Sequence, residues 1–97
     1  MVILDRNIKC RLGELDLVAR DGATLVFVEV KSRRSGDFAA PEMSVTAAKR
    51  RKLRQLAEEY LQRLPEPHPP CRFDVVAVLL PDGGPPELRH IPDAFTE

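Results

Sequence analysis

Gly13-Glu14-Leu15-Asp16-Leu17-Val18-Ala19-Arg20-Asp21-Gly22-Ala23-Thr24-Leu25-Val26-Phe27-Val28-Glu29-Val30-Lys31 reads as two β-strands folded about a turn. Asp21-Gly22 is the turn signal. The Val- and Phe-rich stretch after it has the composition of a strand rather than a helix. The second strand is expected over Leu12 to Arg20 and the third over Ala23 to Arg33, with a first strand, Val2 to Cys10, completing an antiparallel meander. Leu25 and Phe27 alternate with Val26, Val28 and Val30, so the third strand is expected to be buried on both faces.

Outward from this meander, Ser35 to Pro41 reads as a loop punctuated by Gly36 and Pro41, with Ser44 or Thr46 available to cap a helix. Val45, Ala48, Leu53, Leu56, Ala57, Tyr60, Leu61 and Leu64 recur at three- and four-residue steps, which predicts an amphipathic helix over Thr46 to Leu64. Four prolines in Pro65 to Pro70 end it, because they remove backbone donors and enforce an extended linker. Phe73 to Leu80, apolar apart from Asp74, predicts a doubly covered strand that resumes at Arg72. Pro81 to Pro86 is a turn, and Glu87 to Ile91 a short last strand followed by a tail. The order β-β-β-α-β-β, without internal repeat, predicts one α/β domain over residues 1–97, with a long helix packed on a mixed sheet. The opposite sheet face has no helix of its own, so a partner chain or further residues are expected to cover it.

Three charges interrupt the apolar strands. Asp16 stands between Leu15 and Leu17, Glu29 between Val28 and Val30, and Lys31 two residues further on. Alternation places Glu29 and Lys31 on one face with Leu25 and Phe27. If the turn is a four-residue loop, Asp21 to Thr24, Arg20 pairs with Leu25 and Asp16 falls opposite Glu29; a two-residue Asp21-Gly22 turn would instead put Asp16 opposite Phe27 and Glu14 opposite Glu29. Either register leaves Asp16, Glu29 and Lys31 on a common face. Carboxylates about 5 Å apart across a strand pair repel unless a cation lies between them. Magnesium needs only one or two protein carboxylates, often with phosphate oxygens completing its shell. A neighbouring lysine can then orient a water and stabilise charge at phosphorus. The competing reading is a surface ion pair between Glu29 and Lys31, worth less than about 1 kcal/mol, but it leaves Asp16 unexplained.

The whole chain has 97 residues, with 15 basic and 15 acidic side chains, which is too short for a two-domain enzyme. Leu25 to Val28 is the longest uncharged apolar stretch in the hairpin, far short of the 18 or so residues of a membrane span, and a cytoplasmic protein is expected. Cys10 and Cys71 form no CxxC motif, and His68 and His90 lie in dissimilar settings, which argues against zinc. Ser32 and Ser35 have no histidine and acid pattern for nucleophilic catalysis. Between Lys31 and Arg54, however, eight basic residues face only Asp37 and Glu42, a local charge of +6. A face of that sign attracts polyanions. Tyr60 falls at core spacing, and with few aromatics any nucleic-acid contact is expected to be mainly to phosphates.

Five motifs in order resemble the YraN family of bacterial proteins, which is similar to archaeal Holliday-junction resolvases within the PD-(D/E)XK nuclease superfamily. They are Gly13 to Ala19, Leu25 to Lys31, Ala47-Ala48-Lys49 with Ala57 and Tyr60-Leu61, Arg72 to Val76, and His90 to Phe95. The resemblance implies a restriction-endonuclease-like fold and Mg²⁺- or Mn²⁺-dependent hydrolysis of DNA, branched or duplex. By this similarity Asp16 and Glu29, with the Val30 carbonyl, would hold the metal and Lys31 would position water, while Lys49 matches a polar helix position facing the site. Arg33, Arg34, Lys49, Arg50, Lys52 and Arg54 are the candidate phosphate contacts. Family members usually carry a further helix ahead of the strand that starts here at Val2, and this chain departs from the pattern there. Two other functions fit the same residues: a catalytically inactive nucleic-acid-binding module, and an assembly protein that forms a homodimer through its open sheet face. Asp74, at a strand entry, is expected to bond neighbouring backbone or basic groups rather than to act in catalysis.

Overall fold

Asp21 and Thr24 face each other across the central hairpin, leaving Gly22-Ala23 as its two-residue loop with Gly22 at φ +59°. This conformation is favourable for glycine because it has no Cβ to clash with the backbone. The computed structural model describes residues 1–34 and 46–95, with the side chains of Arg33 and Phe95 outside that description. The hairpin joins β2 (Gly13–Asp21) to β3 (Thr24–Arg34). Arg20 pairs with Leu25, one of the two registers the sequence allows, although the loop is tighter than four residues. The expected loop Ser35 to Pro41 and the alternative cap Ser44 lie outside the described residues.

β1 (Val2–Cys10) runs antiparallel to β2, with Cys10 opposite Gly13. Helix α1 (Ala47–Gln62) then carries the chain across the sheet, so that β4 (Cys71–Leu80) lies parallel to β3 from Leu25↔Cys71 to Arg34↔Leu80. Parallel pairing requires such a crossover. β5 (Glu87–Phe95) returns antiparallel, and the five strands lie in sequence order. This mixed sheet with one helix between β3 and β4 is the restriction-endonuclease-like α/β arrangement. β5 runs four residues beyond the predicted Ile91. As an edge strand it tolerates Pro92, which needs no donor on its open side. The next residue, Asp93, turns through φ +49° and gives its N–H to the Asp74 carboxylate instead of to the ladder, at 2.9 Å.

The core lies between the sheet and α1. Leu15, Val18, Leu25, Phe27, Phe73 and Val75 pack against Leu53, Leu56 and Ala57. The Phe27 ring stacks on Phe73 at 5.7 Å and meets the edge of half-buried Tyr60 at 5.9 Å. Burying each such aromatic side chain stabilises the fold by roughly 1.5–3 kcal/mol, which fixes the crossover over the middle of the sheet. Two further bonds hold the far end of α1. The Arg11 N–H donates to Glu59 at 2.8 Å, and the Arg63 guanidinium donates to the Lys9 carbonyl at 3.2 Å.

At its start, the Thr46 hydroxyl accepts from the Lys49 N–H at 3.2 Å, satisfying a donor the helix cannot use. Thr46→Ala is expected to cost about 1 kcal/mol and to lower the melting temperature by roughly 4–8 °C, measured by circular dichroism. The first turn carries no acid, and its Lys49 and Arg50 oppose the positive end of the helix dipole. Cations placed against a dipole are poor for stability.

On the other sheet face Ala19, Val26 and Val28 are buried, with Leu17, Val30 and Val76 partly so. Side chains of β3 are thus buried on both faces, as its composition predicts. Arg72 and Asp74 share this second face through their pairing with Val26 and Val28. Asp74 is fully buried and is bonded by Arg72, His90 and the Asp93 N–H, the structural role expected of it. No helix among the described residues is long and apolar enough to cross a membrane.

Candidate functional site

The charges that interrupt β2 and β3 come together where the two strands stop pairing. The β2–β3 ladder ends at Leu17↔Val28. Beyond it the Val30 N–H has no strand partner, and the Asp16 carboxylate accepts from it at 2.9 Å. β1 contributes to this opening. Asn7, at φ +51°, stands between the Arg6↔Leu17 and Ile8↔Leu15 pairs, opposite Asp16. A left-handed residue kinks its strand locally, and Asp16 is therefore placed where neither neighbour holds it in a regular ladder.

Glu29 and Lys31 share the face of Leu25 and Phe27, as strand alternation requires, and so look towards α1. Their side chains meet at 2.9 Å and are only 18% and 16% exposed. The β4 residues beside them are Val75 and Ala77, both buried, so the ion pair stands at the rim of the apolar core with little water to screen it. The hydrogen bond to Glu29 raises the Lys31 pKa above its ordinary value, against the lowering effect of burial, and the Asp16 charge adds to the rise. Lys31 is thus held as an ammonium, suited to donating hydrogen bonds rather than to removing protons.

A cavity of about 240 Å³ opens beside Glu29, lined also by Glu14, Lys49, Lys52, Leu53 and Leu56. Gly13 helps to shape it. A Cβ there would stand 3.1 Å from the Lys52 side chain, which rests against the start of β2 in the space the glycine leaves. The cavity therefore has a carboxylate wall from the sheet and an ammonium wall from the first turns of α1. An anion bound against the lysines would lie next to the carboxylates, an arrangement that favours a cation between them.

The structure sorts the sequence candidates. Asp16, Glu29 and Lys31 converge, with Lys49 and Lys52 beside them. The Val30 side chain packs on the opposite face with Ala19, Val26 and Val28, so only its backbone could serve a metal. Arg34 ends β3, Arg50 is half-buried on α1, and Arg54 lines a different cavity. Glu14 is the residue that sequence reasoning missed as a site member. Its signal was its place two residues before Asp16 in a strand. Among the described residues no group of three or more His, Cys, Asp and Glu side chains is arranged to hold a metal ion. His90 bonds Asp74 at 2.7 Å and His68 lies 3.4 Å from the Leu64 carbonyl, so neither histidine is bonded to Glu14, Asp16 or Glu29.

Residues 1–78, which include Glu14, Asp16, Glu29, Lys31, Lys49 and Lys52, match the model of the uncharacterised protein family UPF0102. The chain belongs to this family. UPF0102 relatives span nearly all of it: a UPF0102 protein of Symbiobacterium thermophilum is 52% identical over 96% of this chain and 79% of its own length. Another from Geotalea daltonii is 47% identical over 96% of this chain and 73% of the relative. A third, from Rhodococcus opacus, is 45% identical over 98% and 80% respectively. The YraN resemblance read from the five motifs is thereby borne out, and the UPF0102 match takes in the first four of them in full.

Proposed function

We propose that this UPF0102 protein is a metal-dependent endonuclease that hydrolyses phosphodiester bonds of DNA, duplex or branched, at the Asp16, Glu29 and Lys31 cluster. The observation that carries the reading is the presence, where the β2–β3 ladder ends, of a carboxylate freed from the ladder, a half-buried Glu29–Lys31 pair and a lysine-walled cavity beside Glu29. A surface ion pair alone would need neither Asp16 nor the cavity.

The donor set suits magnesium or manganese. Asp16 and Glu29 supply hard carboxylate oxygens, Val30 a backbone carbonyl, and such ions keep waters and take phosphate oxygens for the remainder of their shell. When bound, the ion would act as a Lewis acid on the phosphate and lower the pKa of a water. The chain's own residues do the rest. Lys49 and Lys52 draw the phosphate into the cavity, Leu53 and Leu56 limit water on its helix side, and Lys31 positions the attacking water and stabilises the charge that grows on the phosphate oxygens.

Labelled duplex, single strand, flap and four-way junction, incubated with Mg²⁺ or Mn²⁺, test the proposal. Metal-dependent cutting by the native chain, lost in Asp16→Asn, is expected, and the panel ranks the substrates. A chain that binds DNA in a salt-dependent way without cutting any of the four would instead be the inactive binding module. A salt-insensitive dimer without DNA affinity would be the assembly protein.

A further inference from the structure

Helix α1 divides its cations between two cavities. Lys49 and Lys52 border the carboxylate cavity, whereas Arg51 and Arg54 border a second and larger one, of about 580 Å³, together with Gln55, Glu58, Gln62 and His68. The carboxylates of β2 and β3 do not reach this second space. Arg51 and Arg54 are three residues apart, which brings them together on the helix surface. Among the described residues neither has an ion-pair partner, although Arg63, on the same helix, is paired with Glu59 and Arg72 with Asp21 and Asp74. Among the described residues Glu58 is the only acid in the wall, and it forms no ion pair with either arginine.

Two guanidinium groups side by side repel, and an anion between them removes the repulsion. The planar fork of each matches two oxygens of a phosphate. Gln55 and Gln62 offer amides that can donate and accept, which suits the ring and ester oxygens of a sugar. The His68 ring, set against the end of the helix by its contact with the Leu64 carbonyl, closes one side. A cavity with two guanidinium groups that no described carboxylate pairs, two amides and an imidazole has the chemistry of a sugar–phosphate chain.

We infer that the far flank of α1 is a second phosphate-backbone subsite, in which Arg51 and Arg54 grip the nucleic acid some distance from the bond to be cut. The inference rests on the nucleic-acid reading proposed above and adds Arg51, Gln55, Gln62 and His68 to its contacts. The separation is suitable. A helix with its side chains is about 10–12 Å across, roughly three nucleotide steps at 3.4 Å each, so one backbone can touch both flanks.

Binding of a labelled duplex, measured without divalent ion so that no cutting intervenes, tests the subsite with the native chain, the double variant Arg51→Gln/Arg54→Gln and the control Arg89→Gln on exposed β5. Arg51 is exposed and Arg54 only partly buried, and helix content by circular dichroism verifies that the variant folds. The double variant is expected to bind roughly tenfold or more weakly, with the slope of log K against log salt shallower by about 2, while the control keeps the native values. Unchanged affinity and slope in the double variant would overturn the subsite and leave the nuclease reading intact. Conversely, a native chain that binds with this arginine dependence but cuts nothing would sustain the subsite and remove the nuclease. Competition by a polyglutamate peptide as strong as by the duplex would mark an acidic-protein surface, and no duplex binding at all would remove both the subsite and the nucleic-acid reading.

Discussion

Lys31→Ala is expected to lower the single-turnover cleavage rate by about 10²–10⁴-fold, equivalent to roughly 2.7–5.4 kcal/mol of transition-state stabilisation. DNA affinity should stay within a few-fold. The split follows from position. Lys31 sits at the rim of the core, 16% exposed, with its ammonium 2.9 Å from Glu29, so its charge acts in a poorly screened setting on whatever oxygen lies next to that carboxylate. Affinity, in contrast, is a sum over many phosphate contacts along α1, of which Lys31 is not one. The variant loses a half-buried partner for Glu29, and a Lys31→Met variant controls for the lost packing because it keeps the length of the stem. Both variants should fold, bind and fail to cut. Cleavage by either within threefold of the native rate would remove Lys31 from the chemistry and, with it, the present assignment of the site.

The central hairpin was legible because its signals are local. A strand's period of two decides which residues share a face whatever else the fold does, so Glu29 and Lys31 could be placed with Leu25 and Phe27 before any tertiary information. The same is true of α1, whose apolar period and proline stop are properties of consecutive residues. The resemblance of five ordered motifs carried the family for a similar reason, since order and spacing are contained in the chain. What was not legible depends on how elements end and meet. The bond from the Val30 N–H to Asp16 exists because the β2–β3 ladder stops at Leu17↔Val28, and no residue type announces that. Glu14 and Lys52 reach one cavity only after α1 has packed over Gly13. The extent of β5 escaped because Pro92 ends a central strand but not an edge strand, and edge position is a property of the finished sheet.

Asp74→Ala is expected to destabilise the chain by about 3–5 kcal/mol, a large part of the roughly 5–15 kcal/mol that holds a small domain together. Asp74 is fully buried, yet both its oxygens are fully used. Oδ1 accepts from Arg72 Nε at 3.0 Å and from the Asp93 N–H at 2.9 Å, while Oδ2 meets His90 Nε2 at 2.7 Å and Arg72 Nη2 at 3.3 Å. The alanine variant leaves the Arg72 guanidinium with exposed Asp21 alone among the described residues and strands the Asp93 N–H, so β5 loses the bonds that tie its irregular stretch between the Val75↔Ile91 and Phe73↔Phe95 pairs to β4. Asp74→Asn keeps the shape but has a single acceptor oxygen, and an intermediate loss is expected. The group also sets a pH dependence. Burial opposes the charge on Asp74, but Arg72, the Asp93 N–H and His90 outweigh it and hold the carboxyl below the ordinary carboxylate range. A folded-state pKa below the unfolded one means that the stabilisation is complete above the unfolded value of about 3.9 and is lost as pH falls through the folded value. Urea unfolding from neutral pH into that acid range should therefore show the native midpoint falling more steeply than that of Asp74→Asn, and amide exchange in β5 should quicken first. Parallel pH curves for the two chains would mean that Asp74 carries no differential charge stabilisation. Because this cluster lies on the sheet face away from α1, Asp74→Asn at neutral pH should cut DNA at the native rate, which separates a group that holds β5 in place from Asp16 and Glu29, which are proposed to perform the reaction.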